Sequence, residues 1–294
     1  MNDMQPLEQA GYREWGGNWR SPWRASLALV RVGLAIIFRR WVFWALIGLG
    51  LMNFLFNFAF IYLKATLVVQ TPELERFLDN YRVTGTGEAY ADFMNAQAAI
   101  TTLLLAFAGS ALVGSDYQRG GMVFYLSRAI DRRHYIVGKL LAIAAVVALI
   151  TTVPALVLYV EYGLLSKSLA YFRENWRILG GILGFGLVLA VVQSFLLFAV
   201  AAWVPRTVPL VMTWLGLFVL LSALAHAMRR IADNRRWLLL ALWEDMYHLG
   251  RWCFGSLPPN RVPSARETAL VLVGVCVVCA LLIVRRVRAV EVVK

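Results

Sequence analysis

Ile178-Leu-Gly-Gly-Ile-Leu-Gly-Phe-Gly-Leu-Val-Leu-Ala-Val-Val-Gln-Ser-Phe-Leu-Leu-Phe-Ala-Val-Ala-Ala-Trp-Val204 contains no Lys, Arg, Asp or Glu. At 1.5 Å per residue, about 20 such residues cross the roughly 30 Å hydrocarbon core of a bilayer as one α-helix. A run of this length and polarity reads as a transmembrane helix. In lipid the backbone must satisfy its own hydrogen bonds, so such runs are helical.

Working outward, five more segments of the same kind are found: 41–63, 96–113, 140–160, 208–228 and 268–284. All 29 Lys and Arg and all 17 Asp and Glu lie outside the six spans. The chain is 60% hydrophobic and 16% charged, with mean hydropathy +0.66. Soluble domains average about 45–50% apolar and about 25% charged residues. These features predict an all-α membrane protein with six transmembrane helices. The predicted organisation is a cytoplasmic N-terminus over 1–40, a membrane domain over 41–284 and a basic tail over 285–294. No low-complexity linker or repeat divides it.

The net charge of +12 does not call for a nucleic acid, because the basic residues flank apolar runs. Anionic lipid headgroups explain that placement. Residues 1–25 mix Asp3, Glu8, Arg13, Glu14, Arg20 and Arg24 without a signal-peptide apolar core. The first span is therefore expected to act as an uncleaved insertion signal. With both termini in the cytoplasm, sixteen Lys and Arg face inside and thirteen outside. The positive-inside rule favours that orientation, against the vote of residues 229–267, which hold seven of the thirteen.

Two segments outside the spans have apolar character of their own. Trp23, Leu27, Val30, Leu34 and Ile37 recur every three or four residues, with Arg20, Arg24 and Arg31 off that stripe. This predicts an amphipathic elbow helix lying in the cytoplasmic interface, bent away from the first span at Arg39-Arg40. Trp237-Leu-Leu-Leu-Ala-Leu-Trp243 is too short to cross and reads as re-entrant or interfacial, with Pro258-Pro259 and Pro263 breaking the chain beyond it.

The connection between the second and third spans reads Gly114-Ser-Asp-Tyr-Gln-Arg-Gly-Gly-Met-Val-Phe-Tyr-Leu-Ser-Arg-Ala-Ile-Asp-Arg-Arg-His-Tyr-Ile-Val-Gly-Lys139. It resembles the first cytoplasmic loop of ABC-2 type transporter permeases. In that loop an acidic residue precedes Gly-Thr, a Leu-Leu-Ser run, Pro-x-Ser-Arg and Tyr-x-x-Gly-Lys. Asp116, Gly121-Met122, Leu126-Ser127-Arg128, Arg132 or Arg133, Tyr135 and Gly138-Lys139 fill those places. Met122 stands for Thr, Ala129 for Pro and Asp131 for Ser. The elbow helix, six spans, re-entrant segment and basic tail are similar to the same family.

The resemblance implies that this loop, over 115–135, is a coupling helix docking into a separate ABC ATPase subunit. Met122, Val123, Phe124, Tyr125 and Leu126 would form an apolar knob, edged by Arg119, Arg128, Arg132 and Arg133. Asp131 would cap the third span, and Gly120-Gly121 would turn the chain ahead of the knob. The resemblance also implies a second permease subunit, identical or not, and the cytoplasmic (inner) membrane of a prokaryote.

No Walker A motif occurs: Gly138-Lys139 is followed by Leu140 and lacks the upstream glycine. ATP and Mg are therefore expected in a partner, and this chain is expected to hold no cofactor and to be no enzyme. His134, His226 and His248 are too widely spaced to suggest a metal site, and Cys276-Val-Val-Cys279 sits in an apolar run and reads as packing. Spans empty of charge argue against a proton-coupled carrier. Asn53, Asn57, Thr101 and Gln193 are polar residues that could line a translocation path, against the plainer reading of hydrogen bonds between helices. The expected function is an ATP-driven exporter subunit. The alternative is a mechanotransmitting or anchoring subunit that grips an extracytoplasmic partner through 64–95 and 229–267.

Overall fold

The computed structural model describes residues 22–67, 85–118, 120–121, 132–165, 170–258 and 262–287. Among these there is no strand. Helix α1 spans Pro22–Phe38 and α2 Trp41–Leu67. Helix α3 runs over Gly87–Gln118 and α4 over Arg132–Leu165. Helix α5 spans Trp176–Trp203, α6 Thr207–Ala232, α7 Leu242–Cys253 and α8 Ala265–Arg286. Six of them, α2 to α6 and α8, are long and apolar enough to cross a membrane, which makes the chain a multi-pass membrane protein.

The six are not equivalent. In α3 and α5, 72% and 67% of the most apolar stretch is buried, against 11% in α2 and 22% in each of α6 and α8. The bundle is thus built on α3 and α5, with α2, α6 and α8 at its rim. Rim helices turn large apolar side chains outward, such as Met52, Met212 and Leu270. In water such surface would drive aggregation; in a bilayer it is the solvent-facing side.

The helices overrun the apolar spans at both ends. Glu88, Asp92 and Asp116 fall within α3, and Lys139 and Glu161 within α4. Helix α4 is interrupted at Thr151, between Arg132–Ile150 and Thr152–Leu165. Pro154 explains this, since it has no N–H to offer the Ile150 carbonyl. Helix α8 starts on a capping box in which the Ser264 hydroxyl accepts from Glu267 N–H and the Glu267 carboxylate accepts from Ser264 N–H.

Residues 39–40 separate α1 from α2, and Arg39 and Arg40 are exposed there. The face of α1 that packs shares Leu34 and Ile37 with the stripe read in the sequence but not Trp23 and Leu27. Ser26, Leu29 and Ile37 are buried, at 1%, 8% and 1% exposure, while Trp23 and Leu27 stand out at 60% and 63%. A Cβ on Gly33, on the same face, would lie within 3.3 Å of Leu112 and Ala142 side chains. Small residues, not the largest apolar ones, set the close approach, and a hydrophobicity pattern does not register them.

Candidate functional site

The loop that carries the motif is gripped at its base. Near the end of α3 the helix widens into a π-turn over Ser110–Gly114, where Ser115 N–H reaches back to the Ser110 carbonyl. Such turns are uncommon and often mark functional sites. The next turn carries Asp116, 9% exposed. From the start of α4, Tyr135 donates its hydroxyl to Asp116 Oδ2 at 2.8 Å. One turn on, Lys139 Nζ lies 2.7 Å from the same oxygen and donates to the Leu112 carbonyl at 2.5 Å. Tyr135 is fully buried and Lys139 7% exposed. A buried pair of this kind holds only when its remaining hydrogen bonds are made, as they are here.

The neighbouring helices converge on that pair. Ser26 of α1 donates to the His134 carbonyl at 2.9 Å, and the Trp23 and His134 rings meet edge to face at 5.0 Å. Gln118 donates to the Pro205 carbonyl, in the turn between α5 and α6, at 2.7 Å. Arg132 donates to the Val284 carbonyl of α8. Arg286 donates to the Ala202 carbonyl at 3.2 Å and lies over the Tyr117 and Trp203 rings. The base of the loop is thus tied to α1, to the turn after α5 and to α8 as well as to α3 and α4.

Of the predicted docking residues, Asp116 and Arg132 belong to this base, Arg133 is exposed beside it, and Gly121 sits half-exposed where the chain leaves α3. Gly120 before it has φ +67°, a left-handed conformation that suits glycine, as the predicted turn requires. Arg119, Met122, Phe124, Leu126 and Arg128, together with Val123, Tyr125 and Asp131, lie outside the described residues.

The predicted pathway residues are not brought together. Gln193 is buried and donates to Thr102 Oγ1 at 3.1 Å, while Trp214 Nε1 donates to the Thr102 carbonyl at 2.8 Å, tying α3 to α5 and α6. Thr101 is buried and donates within its own helix to the Gln97 carbonyl. Asn57 donates to the Asn53 carbonyl at 2.8 Å, both half-buried on the rim helix α2. Gln97, which the sequence reading passed over, ties α3 to α2 by donating to the Gly50 carbonyl at 2.9 Å.

A second polar cluster, at the opposite end of the bundle, was missed. Arg251 of α7 lies 2.5 Å from Glu88 of α3, and the Tyr247 hydroxyl donates to Asp92. Each partner pair is spaced i, i+4, so two turns of α7 clasp two turns of α3. That matched spacing is present in the sequence, but Glu88 and Asp92 precede the apolar run that begins at residue 96. His226 of α6 lies 2.7 Å from Glu244. Burial and the acceptor Asp92 push the Tyr247 hydroxyl up to about 12. Asp245, 2% exposed, has an Oδ2 without a hydrogen-bond partner, and burial, then the neighbouring Glu244, raises its carboxyl to about 7. Glu244, Asp245, Tyr247, His248 and Arg251 line a cavity of about 220 Å³ with Leu238, Val262 and Pro263. The apolar run 237–243 is not one helix: a 3₁₀ turn over Arg235–Leu240 leads into α7.

Among the described residues, no group of three or more His, Cys, Asp or Glu is arranged to hold a metal. Cys253, Cys276 and Cys279 are free thiols, Cys279 buried. No protein-family model matches this chain, and no curated protein matches it.

Proposed function

We propose that this chain is the permease subunit of an ABC-2 type ATP-driven exporter and takes its work from a separate ATPase subunit through the loop 115–135. The observation that carries the reading is the buried Asp116–Lys139 pair with Tyr135. It locks together the two helices that flank the loop, using three residues of the motif. A segment that receives mechanical load needs a stiff base, and a passive loop at the headgroups does not. In this reading ATP and Mg are bound by the partner, closure of the motor pushes on the knob Met122–Leu126, and α3 and α4 tilt as a unit.

The finer arrangement follows from the same reading. Both termini face the cytoplasm of a prokaryote. Helix α1 lies along the cytoplasmic membrane surface with Arg24 and Arg31 reaching the headgroups. The 3₁₀ turn and α7 form a re-entrant element at the outer face, where an extracytoplasmic accessory protein could reach them. The rim helices α2, α6 and α8 leave apolar wall for lipids and a second permease subunit.

The test is co-purification in mild detergent with an ABC ATPase subunit co-expressed with this chain. Arg128→Glu and Phe124→Ala are expected to reduce ATPase recovery while membrane insertion stays intact. Unchanged recovery in both variants rejects the docking role.

A further inference from the structure

Helices α6 and α8 each pack on α5 and scarcely on each other. Between them one face of α5 is left uncovered, as the floor of a groove of about 710 Å³. Leu217 and Leu221 of α6 form one wall and Val278 and Leu282 of α8 the other, and no charged side chain lines it. Along α8 the groove runs from Val271 to Leu282, about 17 Å of helix. That is close to half of the roughly 30 Å hydrocarbon core, the depth of one leaflet.

One end of the groove is basic. Trp203 lines it where α5 ends and is 51% exposed, a place that tryptophan takes at a membrane–water interface. The Arg286 guanidinium lies 5.5 Å from the centre of the Trp203 ring. Its Nε donates to the Ala202 carbonyl at 3.2 Å, and its two terminal nitrogens have no acceptor among the described residues. Arg285 and Arg286 follow Leu282 by three and four positions, so they continue the face of α8 that lines the groove. Arg206 stands just before α6, seven residues ahead of Thr213 in the opposite wall. All three arginines are exposed, and among the described residues none is paired with an Asp or Glu.

We propose that this groove holds an acyl chain of an anionic phospholipid, with the lipid phosphate at Arg206, Arg285 and Arg286. An apolar groove in a bilayer accepts a chain from any lipid; the arginines select the head. Guanidinium groups match phosphate oxygens in charge and geometry, and they bind more tightly beside apolar surface than in open water. A cationic head would meet like charge. A second copy of this chain fits the groove less well. Two copies meeting through the same face, with the same orientation in the membrane, would bring both arginine clusters to one level. The site depends on the chain spanning a membrane and not on an ATPase docking at the loop.

The test is native mass spectrometry of the full-length protein from uncharged maltoside micelles, with phosphatidylglycerol and phosphatidylcholine of the same acyl chains added together. Wild type should retain one phosphatidylglycerol roughly tenfold or more in preference to phosphatidylcholine. The double variant Arg206→Gln/Arg285→Gln, at two exposed positions, should lose most of that preference. Val278→Trp, which fills the groove and leaves the arginines in place, should lose the retained lipid. Arg39→Gln/Arg40→Gln removes two exposed charges elsewhere and should change neither. Glycerol phosphate, a head without chains, should not displace the lipid at concentrations equal to it. Equal retention of the two lipids by wild type overturns the proposal, whatever the variants do. So does unchanged retention of phosphatidylglycerol in both site variants, or its displacement by glycerol phosphate. A lipid-free dimer of wild type that Val278→Trp converts to monomer also overturns it, and assigns the groove to a second copy.

Discussion

Lys139 Nζ lies 2.7 Å from Asp116 Oδ2, both side chains buried, and the two residues stand on the helices that enter and leave the loop. Removing one partner leaves a buried charge alone, which costs about 3–5 kcal/mol, whereas replacing both with apolar residues of similar volume is often neutral. Asp116→Leu and Lys139→Met are each expected to lower the melting temperature in detergent sharply. The double variant Asp116→Leu/Lys139→Met should recover much of the loss. Additive losses in this double-mutant cycle would show that the pair does not act as a unit.

Much of this fold could be read from the sequence because bilayer thickness imposes a length on each apolar run. Each of the six spans lies within a spanning helix or within a residue of its ends. What the runs could not give was pairing. Asp116 and Lys139 were both singled out, yet nothing in their spacing says that they meet. The packing face of α1 was legible at Leu34 and Ile37 but not at Ser26 and Gly33, which carry no hydrophobic signal. Glu88, Asp92 and Glu161 were set aside as loop charges because apolarity, not helicity, defined the spans. The helices continue past the apolar runs, and there charged residues find partners in Arg251 and Tyr247 or, for Glu161, find none.

Gly114 closes the π-turn where α3 meets the turn between α5 and α6. A Cβ there would stand 2.5 Å from the Pro205 carbonyl oxygen, a backbone atom that cannot swing aside. Gly114→Ala is expected to destabilise by about 1–3 kcal/mol, the usual range for overpacking. Gly274→Ala on α8, where nothing lies within 4 Å, is the matched control and should cause no such loss. Equal melting temperatures for the two variants would refute the close approach.

The clasp between α7 and α3 makes a prediction about local opening. Arg251 lies 2.5 Å from Glu88, with side-chain exposures of 17% and 39%, and is the more buried partner. Glu88→Gln leaves that guanidinium short of its carboxylate, and Tyr247→Phe deletes the second tie, to Asp92. Amide hydrogen exchange across Leu242–Cys253 should accelerate in either variant and most in the double variant, while exchange in α5 stays at wild-type rates. Uniform acceleration across the bundle would mean that these contacts hold the whole fold and not α7 alone.

Asp245 gives the protein a pH dependence whose sign can be worked out. Burial and the adjacent Glu244 raise its carboxyl from the ordinary 3.8 to about 7, with His248 and Arg251 lining the same cavity. The folded protein thus holds a proton that the unfolded chain has released between those two values. Stability from this group is complete below pH ~4, falls as pH rises through ~7 and is then constant. Asp245→Asn cannot ionise and mimics the protonated acid. Melting temperatures of wild type and Asp245→Asn should lie close together at pH ~4.5. By pH ~8 the wild type should melt below the variant, with most of the gap opening on the way to pH ~7. A gap that stays constant from pH ~4.5 to ~8 would mean that Asp245 does not change its protonation there.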